Sequence, residues 1–151
     1  MEKIEQAEKE KVKVYFDLIG NPRATRGNGW VALIQGDNIQ FLRASIPQFD
    51  KNTLIGGTYL LPVHSFVIVK SDTSSHKNSR QHYTLYFIVG EKEEKIRQIA
   101  NISIINNNIS FSPAELENIY LTAPPEAKSK VIYTLVQYAK TYIATTQLLT
   151  P

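Results

Sequence analysis

Two periodicities divide the chain. In Lys11-Val12-Lys13-Val14-Tyr15-Phe16-Asp17-Leu18 apolar residues recur at every second position. That spacing sets Val12, Val14, Phe16 and Leu18 on one side of an extended strand and Lys11, Lys13, Tyr15 and Asp17 on the other. Trp30 to Gln35 and Ile39 to Ala44 enclose Gly36-Asp37-Asn38, whose residues tolerate positive φ, so the pair predicts a β-hairpin. Ser45 to Gly57, with Pro47 and Gly56-Gly57, reads as a connection. Leu60 to Val69 and Tyr83 to Val89 are nearly continuous apolar, β-branched and aromatic runs, each predicting one buried strand. Pro62 lacks a donor, so the first of these becomes a full strand only near Val63. Between them Lys70 to His82 has no periodicity and predicts a polar loop of unusual length, a common place for binding. Gly90 to Glu94 reads as a charged turn, with a short helix from Glu91 to Ala100 as the alternative. Ile99 to Ile105 and Ile109 to Phe111 flank a turn of three asparagines, a second hairpin.

At Ser112 the period changes. In Phe111-Ser112-Pro113-Ala114-Glu115-Leu116 the spacing predicts Ser112 as helix N-cap, Pro113 at the first helical position, Glu115 closing a capping box and Phe111 stapled to Leu116. That helix ends near Ala123, before Pro124-Pro125. A second helix is predicted from Pro125 or Glu126 to Leu148. It carries Val131, Leu135, Tyr138 and Tyr142 on one stripe and Ile132, Val136, Ala139 and Ile143 beside it. The expected fold is α+β: a mostly antiparallel β-sheet or partly closed barrel of about six or seven strands with two C-terminal helices. It forms a single domain over 1–151, made of a charged segment with helix propensity (1–11), a β-rich part (12–111) and a helical part (112–151).

Composition narrows the chemistry. At 151 residues the chain can bury roughly 68–70% of its unfolded surface, enough for a core without staples. The lack of cysteine excludes disulfides, thiolate metal sites and a thiol nucleophile. The N-terminus has no apolar leader and no run is long enough to span a bilayer, so a soluble, cytoplasmic protein without membrane contact is expected.

Charge is unevenly spread. The net +3 resides in residues 14–90, where Arg23, Arg26, Arg43, Lys51, Lys70, Lys77 and Arg80 face Asp17, Asp37, Asp50 and Asp72, while both ends of the chain balance. Arg23 and Arg26 in the Gly20 to Gly29 loop, and Lys70, Lys77 and Arg80 in the Lys70 to His82 loop, are therefore the candidate contact residues for phosphates or an acidic partner.

No motif for catalysis, metal or cofactor emerges. Ser74-Ser75-His76 adjoins hydroxyls to an imidazole, but in a loop with nothing to orient it. His64, on a predicted strand, His76 and His82 lack the spacing that aims two ligands at one metal, and the aspartates are isolated, Asp37 and Asp72 as turn or loop residues. Gly27-Asn28-Gly29 leads into a Trp-headed strand, where a phosphate loop requires a helix. Aromatics remain: Tyr15, Trp30, Tyr59, Tyr83 and Tyr86 are candidates for stacking single-stranded bases on a sheet, or are core.

Gly29-Trp30-Val31-Ala32-Leu33, Gly36-Asp37-Asn38-Ile39 and Gly57-Thr58-Tyr59-Leu60, with the strand reaching Phe66, resemble the small β-rich accessory subunits of type III CRISPR effector complexes over residues 29–89. The resemblance implies a non-catalytic subunit docked on an RNA-guided complex of antiviral defence. It carries no functional residue across. The expectation is thus a non-enzymatic binding module within a larger assembly, with other protein subunits and RNA or single-stranded nucleic acid as partners. The alternative is a protein-protein adaptor without nucleic-acid contact.

Overall fold

The computed structural model describes residues 10–19, 29–74, 79–90 and 93–149. Among these, nine strands and two helices follow in order: β1 (Lys11–Asp17), β2 (Trp30–Gln35), β3 (Asn38–Leu42), β4 (Ile46–Asp50), β5 (Thr53–Pro62), β6 (Phe66–Ser74), β7 (Ser79–Ile88), β8 (Ile96–Ile105), β9 (Asn108–Ser112), α1 (Leu116–Leu121) and α2 (Lys130–Leu149). The strands form two open antiparallel sheets, ordered β1-β5-β4 and β3-β2-β6-β7-β8-β9. The architecture is α+β with no closed barrel.

The six-stranded sheet is the middle of three layers, and alternation along β6 shows why. Val67 and Val69 join Val12, Val14, Phe16, Tyr59 and Leu61 in a core against the small sheet. Phe66 and Ile68 join Leu85, Ile102, Leu116, Leu135, Val136 and Ala139 in a second core beneath the helices. A strand covered on both faces needs an unbroken apolar run, whereas β1, covered on one face, alternates exposed and buried at each step. Of the predicted stripe of α2, Leu135, Val136 and Ala139 are buried, with Val131, Ile132, Tyr138 and Tyr142 around them, and the side chain of Ile143 lies outside the described residues.

Several elements differ from expectation for identifiable reasons. The Ser45 to Gly57 connection contains β4 and the start of β5, joined by a tight turn with Lys51 and Asn52 both at positive φ. All five β4 residues are exposed, so no burial pattern marks the strand. Leu60 to Val69 is two strands, one in each sheet. The chain turns at His64, whose φ is +68° and whose N–H donates to Ile88 O at 2.7 Å. Ser65 Oγ, donating to Pro62 O at 2.6 Å, tightens that turn. His64 is therefore an exposed turn residue stacked near Phe87, not a strand residue.

The long polar loop is largely a β-arm, since Lys70 to Ser74 pair with Ser79 to Tyr83 and β8 supports β7 from the other side. Asp72 accordingly is a strand residue only 7% exposed. The asparagine turn is two residues long, because Asn108 already pairs with Ile105. Ser112 pairs with Asn101 as the last residue of β9, and the helical start moves to Leu116 after a turn over residues 113–115. The capping box does not form; Glu115 occupies the cap position without a side-chain cap hydrogen bond. It accepts instead from the Tyr138 hydroxyl at 3.4 Å, linking the two helices. The second helix begins at Lys130, later than expected, with Tyr133 N–H donating to Ser129 O. Residues 1–9 of the predicted N-terminal helical segment and Ser75-His76 lie outside the described residues, while Lys11, at the end of that segment, is the first residue of β1.

Candidate binding face on the six-stranded sheet

Gly29 sets the geometry of the site. A Cβ here would stand 2.6 Å from both Lys70 O and Leu18 Cβ, so only glycine lets the chain pass between β6 and the end of β1. The role of Gly29 is close backbone packing, and it delivers Trp30 to the head of β2 opposite Lys70.

From there, ladder register builds a row across five strands: Trp30 faces Lys70, Lys70 faces Tyr83, Tyr83 faces Ile102, and Ile102 faces Phe111. All lie on the helix side of the sheet. At the β9 end the row is covered, Ile102 being buried and Phe111 packed 5.3 Å from Tyr120 of α1. Toward β3 it emerges. Lys70, Tyr83 and Trp30 are half-buried, and Phe41 on the edge strand β3 is 61% exposed.

The rings brace one another. Trp30 meets Phe41 edge-on at 5.2 Å and Tyr83 at 6.1 Å, and Lys70 Nζ sits 5.6 Å from the Tyr83 ring centre. Edge-on contacts of this kind add about 0.5–1.5 kcal/mol per pair, and a cation over a ring about 0.5–1 kcal/mol at accessible sites. The result is a preordered corner of three rings and one ammonium, suited to stacking a planar group and pairing an anion beside it.

Of the five rings considered from sequence, Trp30 and Tyr83 share this corner. Tyr59 is core, 2% exposed, and Tyr86 packs 5.4 Å from Phe16 on the opposite face. Burial raises both phenols above the usual tyrosine range, Thr84 partly offsetting it for Tyr86. Tyr15 lies on the outer face of the small sheet, its hydroxyl donating to Gln48 Oε1 at 3.1 Å. Phe41 escaped sequence reasoning; its two-residue spacing from Ile39, which packs on the helical core, was the signal that could have found it.

Of the candidate cations, Lys70 and Arg80 fall within the described residues, and these two lie on different faces of the sheet. Arg23, Arg26 and Lys77 lie outside the described residues. Lys70 is in the aromatic corner, whereas Arg80, three positions before Tyr83 on β7 and partnered with Thr73 and Ile105, belongs to the opposite face.

That opposite face also carries His82, with Nδ1 2.9 Å from Ser103 Oγ, and Ser103 Oγ donates to Asn101 Oδ1 at 3.0 Å. No helix among the described residues is long and apolar enough to cross a membrane. Comparison with protein-family models, with curated proteins and with solved structures finds no match to this chain.

Proposed function

We propose that this chain is a non-catalytic binding module, a subunit of a larger nucleoprotein assembly, that holds single-stranded nucleic acid on the corner formed by Phe41, Trp30, Tyr83 and Lys70. The observation that supports the reading is the braced aromatic row emerging at a sheet edge with an ammonium over one of its rings. Such rings accept any base face, and the cation offers a phosphate contact without sequence preference. An RNA-guided assembly in the cytoplasm is the setting in which a subunit of this kind, without chemistry of its own, has a use.

The test is fluorescence anisotropy with a labelled 12-nucleotide single-stranded RNA, for the wild type, for the double variant Phe41→Ala/Lys70→Glu, and for Lys51→Glu on the β4–β5 turn. The wild type is expected to bind, with affinity falling as salt rises from 50 to 200 mM. The double variant should bind at least about tenfold more weakly, since loss of one stacking platform alone is worth about 1–3 kcal/mol; its far-UV spectrum should be unchanged. Lys51→Glu should bind as the wild type does. Wild-type affinity in the double variant, or no binding by the wild type, overturns the proposal.

A further inference from the structure

The outer face of the small sheet, on the far side of the molecule from the helices, has a composition of its own. Register places Lys13 beside Leu60, and Tyr15 beside Thr58, which in turn pairs with Ile46. Three of these are large and exposed: Tyr15 at 43%, Leu60 at 44% and Ile46 at 60%. At one end of the patch a recess of about 280 Å³ is lined by Lys11, Val12, Lys13, Leu60 and Lys95. Lys95 reaches it from the start of β8, where its Nζ donates to Lys13 O at 3.4 Å. Thus three lysines from two separate segments line one recess beside an exposed leucine, with no carboxylate in that lining; Asp17, on the same face, lies away from it beside Tyr15.

Bringing three like charges together on a fold without a counter-ion in the lining opposes folding electrostatically. An anionic occupant relieves that opposition, and the exposed aliphatics fix its character. A second copy of this chain applied by a two-fold axis would set six ammonium groups against one another, so self-association is disfavoured. Phosphodiester backbone matches the lysines but leaves Leu60 and Ile46 against water. Acidic side chains interspersed with apolar ones match both.

We infer that the outer face of the β1-β5-β4 sheet is a second docking surface, for an acidic protein segment whose apolar side chains cover Leu60 and Ile46 while its carboxylates meet Lys11, Lys13 and Lys95. It stands independently of the aromatic corner, which faces the other way. A module with both surfaces bridges a protein subunit on one side and a stacked ligand on the other.

The experiment uses the full chain, isotope-labelled, with three probes observed by amide chemical shifts: a peptide of repeated Glu-Glu-Leu-Glu-Glu-Ile, a 12-nucleotide oligothymidylate, and vesicles containing phosphatidylserine. The peptide is expected to shift amides of residues 11–15, 46, 58–60 and 95. Those shifts should disappear in the triple variant Lys11→Glu/Lys13→Glu/Lys95→Glu, whose remaining spectrum stays dispersed. A Leu60→Ser variant should weaken binding by about fivefold or more, as expected when the peptide's apolar side chains no longer meet the leucine beside the lysines. Peptide shifts absent from this face, or unchanged in the triple variant, overturn the inference. So does stronger perturbation of the same amides by oligothymidylate or by vesicles, which would assign the face to phosphates or to a lipid surface.

Discussion

At the scale of single residues, burial decides which functional groups are available. Tyr59 and Tyr86 carry phenols with ionisation pushed upward, because a phenolate would be stranded in the inner core. Unfolded tyrosine ionises at about 10. Above that pH the unfolded chain releases protons that the native chain retains, so the two tyrosines contribute stability that is complete below the unfolded value and is lost as pH rises through the native one. Thermal melts between pH 8 and 11 should show a steepening fall above pH 10, and Tyr59→Phe should flatten it while leaving the neutral-pH melt nearly unchanged. A fall of equal slope in the variant would deny Tyr59 this part. At the other extreme Glu94, on the surface, is held below the ordinary carboxylate range by the hydrogen bond from Arg97. That contribution is present above the unfolded glutamate pKa and disappears on acidification, heavily screened by water.

Elements were legible where periodicity and turn chemistry agreed. The strand at Val12 to Leu18, the hairpin around Gly36-Asp37 and the α2 stripe all combine a clear period with one covered face. β4 was not legible, because an exposed edge strand closed by Lys51-Asn52 shows neither a period nor the Asn-Gly signature of its turn. The split at His64 was hidden for a related reason: a histidine in left-handed backbone gives no cue that a glycine would have given. The capping box failed although its residue types matched, since the ladder with Asn101 had already claimed Ser112.

The Asn106-Asn107 turn, with φ of 50° and 71°, offers a direct check. Asn107→Gly is expected to hold or raise the melting temperature, and Asn107→Val to lower stability by about 1–2 kcal/mol, the cost of a branched side chain in that region. Equal melting temperatures for the two would contradict a positive-φ turn there.

For the molecule as a whole, counting charges along the chain obscured where they meet. The N-terminal segment balances in sequence, yet strand alternation puts Lys11 and Lys13 on one face, and the fold brings Lys95 to them from more than eighty positions away. Conversely Lys70 and Arg80, close in sequence, diverge because one ladder sends them to opposite faces. The aromatic corner was half legible: Trp30 and Tyr83 were visible as candidates, but their juxtaposition depends on pairings between β2, β6 and β7 that only assembly supplies.

The doubly covered strand β6 has one more consequence. It acts as a party wall between the two cores, so neither can open without stripping one side of it. Hydrogen exchange should find Val67, Ile68 and Val69 amides the slowest in the chain and governed by global unfolding alone, and exchange there as fast as in β4 would mean that the two halves come apart separately.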